Sequence, residues 1–168
     1  MSIDAKMGYR EAMRGGDFCV GFYEREFYPL SNFSAFTLMW QGITFATSEA
    51  AYHWEKFRSE DGQKIRNMIL NAKSAHDAFK IAEANKIDRR TNWDAEKVGV
   101  MRDILRAKAQ QHEYVRRKLL ETGDRELVED SWRDTFWGTG PNGVGKNMLG
   151  KLWMEVREEI RALKETAI

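Results

Sequence analysis

The run Phe36-Thr-Leu-Met-Trp40-Gln-Gly42-Ile-Thr-Phe45-Ala-Thr-Ser48-Glu-Ala-Ala-Tyr52-His-Trp-Glu-Lys56-Phe-Arg58 decides how the rest of the chain is read. Phe36–Trp40 and Ile43–Phe45 flank Gln41-Gly42. Glycine reaches positive φ without steric cost, so this pattern predicts a hairpin with a tight turn. After Phe45 the signals become helical. Ser48 is placed as the N-cap of a helix reaching Arg58, since its hydroxyl can accept one of the first turn's unpaired amide protons.

Downstream of this helix the period stays helical. Asp61 starts a segment with Ile65, Met68, Ile69 and Ala72 on one face. Ser74 and Asp77 form a capping box whose acid is one methylene short, followed by Ala75, Ala78, Phe79 and Ala82. A long helix is predicted from about Asp94 to Gln110, with the stripe Lys97, Val100, Met101, Ile104, Leu105 and Lys108. Another runs from His112 to Glu121 with Val115, Leu119 and Leu120, then Leu127-Val128-Glu129 reads as a short strand. The last helix begins near Asn147 and carries Leu149, Leu152, Trp153, Val156 and Ile160. Upstream, Cys19–Tyr23 reads as a strand and Pro29–Asn32 as a loop. The expected class is mainly α with a small antiparallel β element (α+β). Residues 1–16 form a lead-in and 17–168 a single domain.

Composition excludes several classes. The 168 residues are 42% apolar and 12% aromatic, too rich for a disordered polar chain. Lys and Arg number 27 against 26 Asp and Glu, so no strong overall field draws in nucleic acid or an anionic membrane. Cys19 is the sole cysteine, which precludes an intrachain disulfide and fits a reducing compartment. His53, His76 and His112 lie far apart in sequence, so no metal site is expected, and no cofactor either. The amino-terminal residues show no signal-peptide pattern and no apolar run reaches membrane-spanning length. The expected location is cytoplasmic, with no membrane partner.

Two glycine patterns need weighing. Gly138-Thr-Gly140-Pro-Asn-Gly143 matches G-x-G-x-x-G in letters, yet no buried strand precedes it and Pro141 sits where the helix would start, so a dinucleotide fold is discounted. Gly140 to Lys146 matches G-x-x-x-x-G-K, but Asn147 replaces the hydroxyl residue that binds magnesium. Two readings stay open: a plain connector, or an anion cradle in which Gly138, Gly140 and Gly145 turn amides toward a phosphate at the helix start by Asn147.

On the helix after Ser48, Glu49, Tyr52, His53 and Lys56 fall within a sector of roughly 100° at helical spacing, and Ala50, Trp54 and Phe57 fall on another. A solvated face is one reading of the polar sector. Against it stand the surrounding aromatics, the size of the Tyr52 ring and the place of Glu49 in the first turn, where the dipole favours its charge. An ionised carboxylate in a partly apolar cleft suits stabilising positive charge or orienting water. Trp93 and Trp137 stand in loop-like contexts, either as core plugs or as flat platforms for a base, and Asp134 offers a second carboxylate. Arg89-Arg90 and Arg116-Arg117-Lys118 are solvated faces or, for a polymeric substrate, phosphate contacts.

These pieces occur in a characteristic order. Phe22-Tyr23 and Leu30-Ser-Asn32-Phe33 come first, then Gly42-Ile-Thr-Phe45-Ala-Thr-Ser48-Glu49 and Tyr52-x-x-x-Lys56-Phe57. Asn92-Trp93, Met101 to Lys108, Leu127-Val-Glu129, Asp134-x-x-Trp137-Gly138-x-Gly140 and Gly145-Lys-Asn147-x-Leu149-Gly150 follow. The chain resembles the NADAR family of YbiA-like proteins over about residues 22 to 160. The resemblance implies a mostly helical fold and cleavage of N-glycosidic bonds between a ribose and a base or amine. Some members act on early phosphorylated riboflavin intermediates; others remove ADP-ribose from guanine. It places the family's acid at Glu49, its tryptophans at Trp93 and Trp137, and its later acid at Asp134. Many relatives carry His directly after the glutamate where this chain has Ala50, and Tyr52-His53-Trp54 also departs from the riboflavin-type pattern. Both departures point toward ADP-ribose, on a nucleotide or on DNA or RNA.

Breaking a C1′–N bond builds positive charge on the sugar, which a carboxylate at Glu49 would stabilise while positioning water. Lys56 offers a second route, attack on an opened sugar to form an imine, if burial lowers its pKa. Trp93 or Trp137 would stack the base. Asn32 would bond ribose hydroxyls, and Ser48 and Tyr52 join the binding set. The reading from another class is a non-catalytic module that binds ADP-ribose or NAD.

Overall fold

The computed structural model describes residues 18–22 and 25–166. In chain order the elements are β1 (Cys19–Gly21), a 3-10 helix (Arg25–Leu30), β2 (Leu38–Trp40), β3 (Ile43–Phe45), α1 (Ser48–Glu55), α2 (Gln63–Leu70), α3 (Ala75–Ala84), a 3-10 turn (Lys86–Asp88), α4 (Trp93–Gln111), α5 (Glu113–Glu121), β4 (Glu126–Val128) and α6 (Met148–Glu165). The fold is mainly helical α+β, with an antiparallel hairpin. The expected lead-in 1–16 and Tyr23 lie outside the described residues. Residues 32–113 form one unit, and the described residues before 32 and after 113 another.

In the unit of residues 32–113, β2 and β3 pair antiparallel with Leu38 opposite Phe45 and Trp40 opposite Ile43. Gln41 and Gly42 both have positive φ, 52° and 76°, as the twist of a two-residue hairpin turn requires. Leu38 and Phe45 are buried while Met39 is 53% exposed, so the hairpin has a clear inner face. Helix α1 packs against α2, α3 and α4. Thr47, not Ser48, caps it, its side chain accepting the Ala50 amide proton. The helix ends at Glu55 instead of Arg58, and Lys56 serves as the C-cap. Ile65 and Ile69 anchor α2 as expected, but Met68 points outward at 45% exposure. On α3 Ala75, Ala78 and Ala82 are buried and Phe79 is not. The short acid predicted for the box at Ser74 has a physical result. The Ser74 hydroxyl accepts the Asp77 amide proton and donates back to the Asp77 carboxylate.

In the other unit, β1 pairs with β4 in parallel, Val20 opposite Leu127. The strands expected at Cys19–Tyr23 and Leu127–Glu129 thus form a second sheet of the opposite sense to the hairpin. Helix α6 lies on β4. Gly150 makes that approach possible, because a Cβ there would meet the Leu127 carbonyl oxygen far inside contact distance. The buried face of α6 carries Leu149, Leu152, Trp153 and Val156. Trp153 donates its indole proton to the Leu30 carbonyl at 2.8 Å, which satisfies the polar end of a large buried ring.

Candidate active site

The polar sector of α1 is not a solvated face. Glu49 is 9% exposed, Tyr52 5%, His53 2% and Lys56 6%, so the helix is buried on its charged side as well as its apolar one. Buried charge demands partners, and the i, i+4 spacing supplies the first. His53 Nε2 and Glu49 Oε1 are 2.6 Å apart. The Glu49 backbone amide donates to the Asn32 carbonyl at 3.1 Å, which ties the residue before the hairpin to the helix start.

One turn on, Tyr52 and Trp93 rings meet at 5.1 Å with a tilt of 57°. Lys56 Nζ lies 5.0 Å from the centre of Tyr52 and 6.0 Å from that of Trp93, within cation–π reach. Burial pushes the Lys56 pKa down to about 8, against the pull of Glu49 and Glu83, which favour the charged amine. Behind this group stands Arg90. Its guanidinium lies 5.3 Å from the Trp93 ring centre, and its backbone amide donates to the Lys56 carbonyl. Glu96 at 2.6 Å and the buried Glu55 at 3.8 Å hold that guanidinium, and Glu55 also accepts the Trp40 indole proton at 2.7 Å.

The structure therefore brings Asn32, Ser48, Glu49, Tyr52, Lys56 and Trp93 into one connected neighbourhood. Trp93 stands at the first position of α4 and is 2% exposed, not in a loop, because the helix begins one residue before the expected Asp94. Buried atoms without a hydrogen-bond partner gather here: Asn32 Oδ1, Ser48 Oγ and His53 Nδ1. Unpaired buried polar atoms are costly unless water or a ligand satisfies them. His53 and Arg90 were not among the sequence-derived site residues. The spacing from Glu49 was the available signal for His53, while Arg90 read only as part of a basic cluster.

The remaining expected residues belong to the other unit. Asp134 Oδ1 accepts the amide protons of Phe136 and Trp137 at 2.8 and 2.7 Å, which closes a tight turn. Trp137 is half-buried, edge-on to Phe136. Of the residues in the anion-cradle reading, Gly140, Gly145 and Asn147 have amides that already donate to main-chain carbonyls. Gly140 donates to Ser131, Gly145 to Thr139, Lys146 to Thr135, Asn147 to Gly138, and Met148 and Leu149 to Phe136 and Trp137. Those protons are spent on carbonyls within the loop and its flanks. Gly138 and Gly145 are there for close backbone approach, since a Cβ on either would collide with neighbouring main chain. Asn147 is buried and its side chain bridges β4, accepting from the Glu129 amide and donating to the Leu127 carbonyl, both at 2.9 Å. The basic clusters are also engaged: Arg89 Nε donates to the Lys86 carbonyl, and Lys118 is shared by Glu26 and Glu121. Among the described residues no group of three or more His, Cys, Asp or Glu side chains is arranged to hold a metal, and no helix is long and apolar enough to cross a membrane.

A second buried amine has a measurable consequence. Lys108 is fully buried on α4, donates to the Ser34 hydroxyl at 2.8 Å, and burial lowers its pKa from 10.5 to about 7. Below pH 7 both folded and unfolded chains hold the proton, and the full cost of burying the ammonium is present. Between pH 7 and 10.5 the folded chain has released it and the unfolded chain has not, so this group makes stability rise with pH. Lys108→Met is expected to abolish that rise. Urea midpoints of both proteins at pH 7, 8.5 and 10 check it, and parallel curves would remove the effect.

With the geometry described, comparison with known proteins identifies the class. The NADAR domain family matches residues 21–161. N-glycosidase YbiA of Escherichia coli is 38% identical over 146 residues, covering 86% of this chain and 89% of that protein. N-glycosidase Npun_R5314 of Nostoc punctiforme is 39% identical, covering 79% of this chain and 85% of that protein. Riboflavin biosynthesis protein VVA0006 of Vibrio vulnificus is 37% identical over 132 residues, covering 79% of this chain but only 35% of that protein. The NMR structure of the Escherichia coli protein YbiA superposes with a TM-score of 0.79 at 37% identity, covering 88% of each chain. The chain belongs to the NADAR domain family.

Proposed function

We propose that this protein is an N-glycosidase that cleaves the bond between a ribose C1′ and a base nitrogen, and that its substrate is guanine carrying ADP-ribose. The observation that carries the reading is Glu49. Its carboxylate is tied through Oε1 to His53, the side chain keeps 11% exposure, and among the described residues no other side chain bonds it. A carboxylate so placed meets developing positive charge at C1′ in surroundings of low dielectric, where the attraction is far stronger than in water. It also accepts the proton of an attacking water. The unpartnered Asn32 Oδ1 and Ser48 Oγ suit ribose hydroxyls. Trp93 and Tyr52 are buried and wall the Lys56 amine, and Lys56, with its lowered pKa, supports the imine route.

Family resemblance adds Trp137 and Asp134 to the proposal, with residues 17–168 acting as one functional domain in the cytoplasm. The names of YbiA and Npun_R5314 support the reaction class. The match to VVA0006 favours a second reading, the same bond cleavage on a phosphorylated riboflavin precursor.

The test is incubation with ADP-ribosylated guanosine, ADP-ribosylated DNA and phosphorylated riboflavin intermediates in parallel, followed by chromatography of released base or amine. Free guanosine or guanine is the expected product. Release only from the riboflavin intermediates selects the second reading. Binding without product from any of them makes the protein a binding module.

A further inference from the structure

We infer that His53 is a positioning residue for this reaction, one that fixes the Glu49 carboxylate and selects which of its oxygens acts. The inference rests on the proposed N-glycosidase chemistry at Glu49. A carboxylate accepts hydrogen bonds and does not donate them, so the 2.6 Å contact runs from His53 Nε2–H to Glu49 Oε1. Both side chains are about nine-tenths buried or more, at 3% and 11% exposure, and the bond joins consecutive turns of one helix. It therefore holds χ angles that a free glutamate would sample. With Oε1 occupied, Oε2 is the oxygen left to face the sugar or the water.

The imidazole is itself held. Tyr52 packs against it edge-on at 5.4 Å and Phe79 of α3 at 5.8 Å. Charged groups near it include Glu49 and Lys56 on α1; His76 stacks on the other ring, Phe79, at 6.2 Å, and Glu83, Lys86 and Arg89 act on Lys56. With Nε2 protonated, a neutral ring leaves Nδ1 as a bare acceptor, and Nδ1 is buried without a partner. A hydroxyl or N–H on the ligand satisfies it. One imidazole thus holds the Glu49 carboxylate through Nε2 and keeps Nδ1 free as an acceptor.

In the reaction the water oxygen bonds to C1′ as the C1′–N bond breaks, and the electron pair of that bond leaves on the base nitrogen. The water proton goes to Glu49 Oε2 and then to the departing nitrogen. Glu49 and His53 end as they began.

The experiment compares wild type, Glu49→Gln, His53→Gln and His53→Leu on ADP-ribosylated guanosine, with the riboflavin intermediates as alternative substrates. Glutamine keeps an N–H near the place of Nε2, whereas leucine removes it. His53→Leu is expected to lower kcat about a hundredfold, the low end for loss of an aligned general base. His53→Gln is expected to recover most of kcat but to raise KM, because it lacks the Nδ1 acceptor. Equal kcat in the two His53 variants and wild type overturns the inference. If wild type cleaves none of the substrates, the proposed function fails instead. A readout independent of turnover separates the cases: ¹⁵N spectra of labelled histidine should show the Nε2–H tautomer at His53 in wild type and a changed signal in Glu49→Gln. An Nδ1–H tautomer overturns the inference whatever the activity.

Discussion

Glu49→Gln is expected to lower turnover on the substrate by roughly a hundred- to ten-thousand-fold while leaving substrate affinity within a few-fold. The replacement is nearly isosteric and keeps a carbonyl oxygen to accept from His53 Nε2–H, so the helix and its neighbours have no reason to shift. What disappears is the negative charge. Glutamine meets the oxocarbenium-like sugar with a dipole instead of an ion and takes no proton from water. The side chain keeps only 11% exposure and its partner His53 packs edge-on against Tyr52, so bulk solvent does little to replace the lost charge. Each tenfold loss corresponds to about 1.4 kcal/mol of transition-state stabilisation. Single-turnover rates measured beside equilibrium binding separate the two effects. Turnover near that of wild type would take the acid out of the chemistry and leave the binding-module reading.

Asn147→Ala is the second large effect, and it falls on stability. The Asn147 side chain accepts the Glu129 amide proton and donates to the Leu127 carbonyl, stitching the end of β4 to the start of α6. Its backbone is left-handed at φ 50°, a region that asparagine tolerates better than alanine. Alanine leaves two buried backbone groups unpaired and adds backbone strain, together about 3 to 5 kcal/mol. That corresponds to a fall in Tm of roughly 10 °C for a chain of this size. Asn147→Gly relieves the strain but still lacks both side-chain bonds, so it should recover only about 1 kcal/mol of the deficit. Urea unfolding of the three proteins measures both. A loss below about 1 kcal/mol in the alanine variant would mean that the bridge contributes little, and Asn147 would return to the candidates for ligand binding.

Both residues were legible from the sequence, but their roles were not equally so. Glu49 stood out because helical geometry puts it with Tyr52, His53 and Lys56, and that sector is real. Its burial was hidden, since acids, imidazoles and amines at helical spacing look the same facing water or facing inward. Asn147 looked like part of a phosphate loop because a glycine-rich sequence reads alike whether its amides aim at a ligand or at carbonyls. The hairpin was readable because Gln41-Gly42 carries its turn geometry locally. Choosing between Thr47 and Ser48 as cap was not, as adjacent hydroxyls offer the same chemistry. The parallel pairing of β1 with β4 had no local signature at all: Val20 finds Leu127 through tertiary folding, not through a turn.

That last pairing bears on how the protein is made. Residues 32–113 are contiguous in sequence, whereas the other unit draws on both ends of the chain. Strand β1 is synthesised early, yet its partner β4 emerges roughly a hundred residues later, a delay of about 5–20 s at cellular elongation rates. During that interval the β1 backbone has no native neighbour, and a nascent-chain binder that shields it would speed production of the finished enzyme without touching its chemistry.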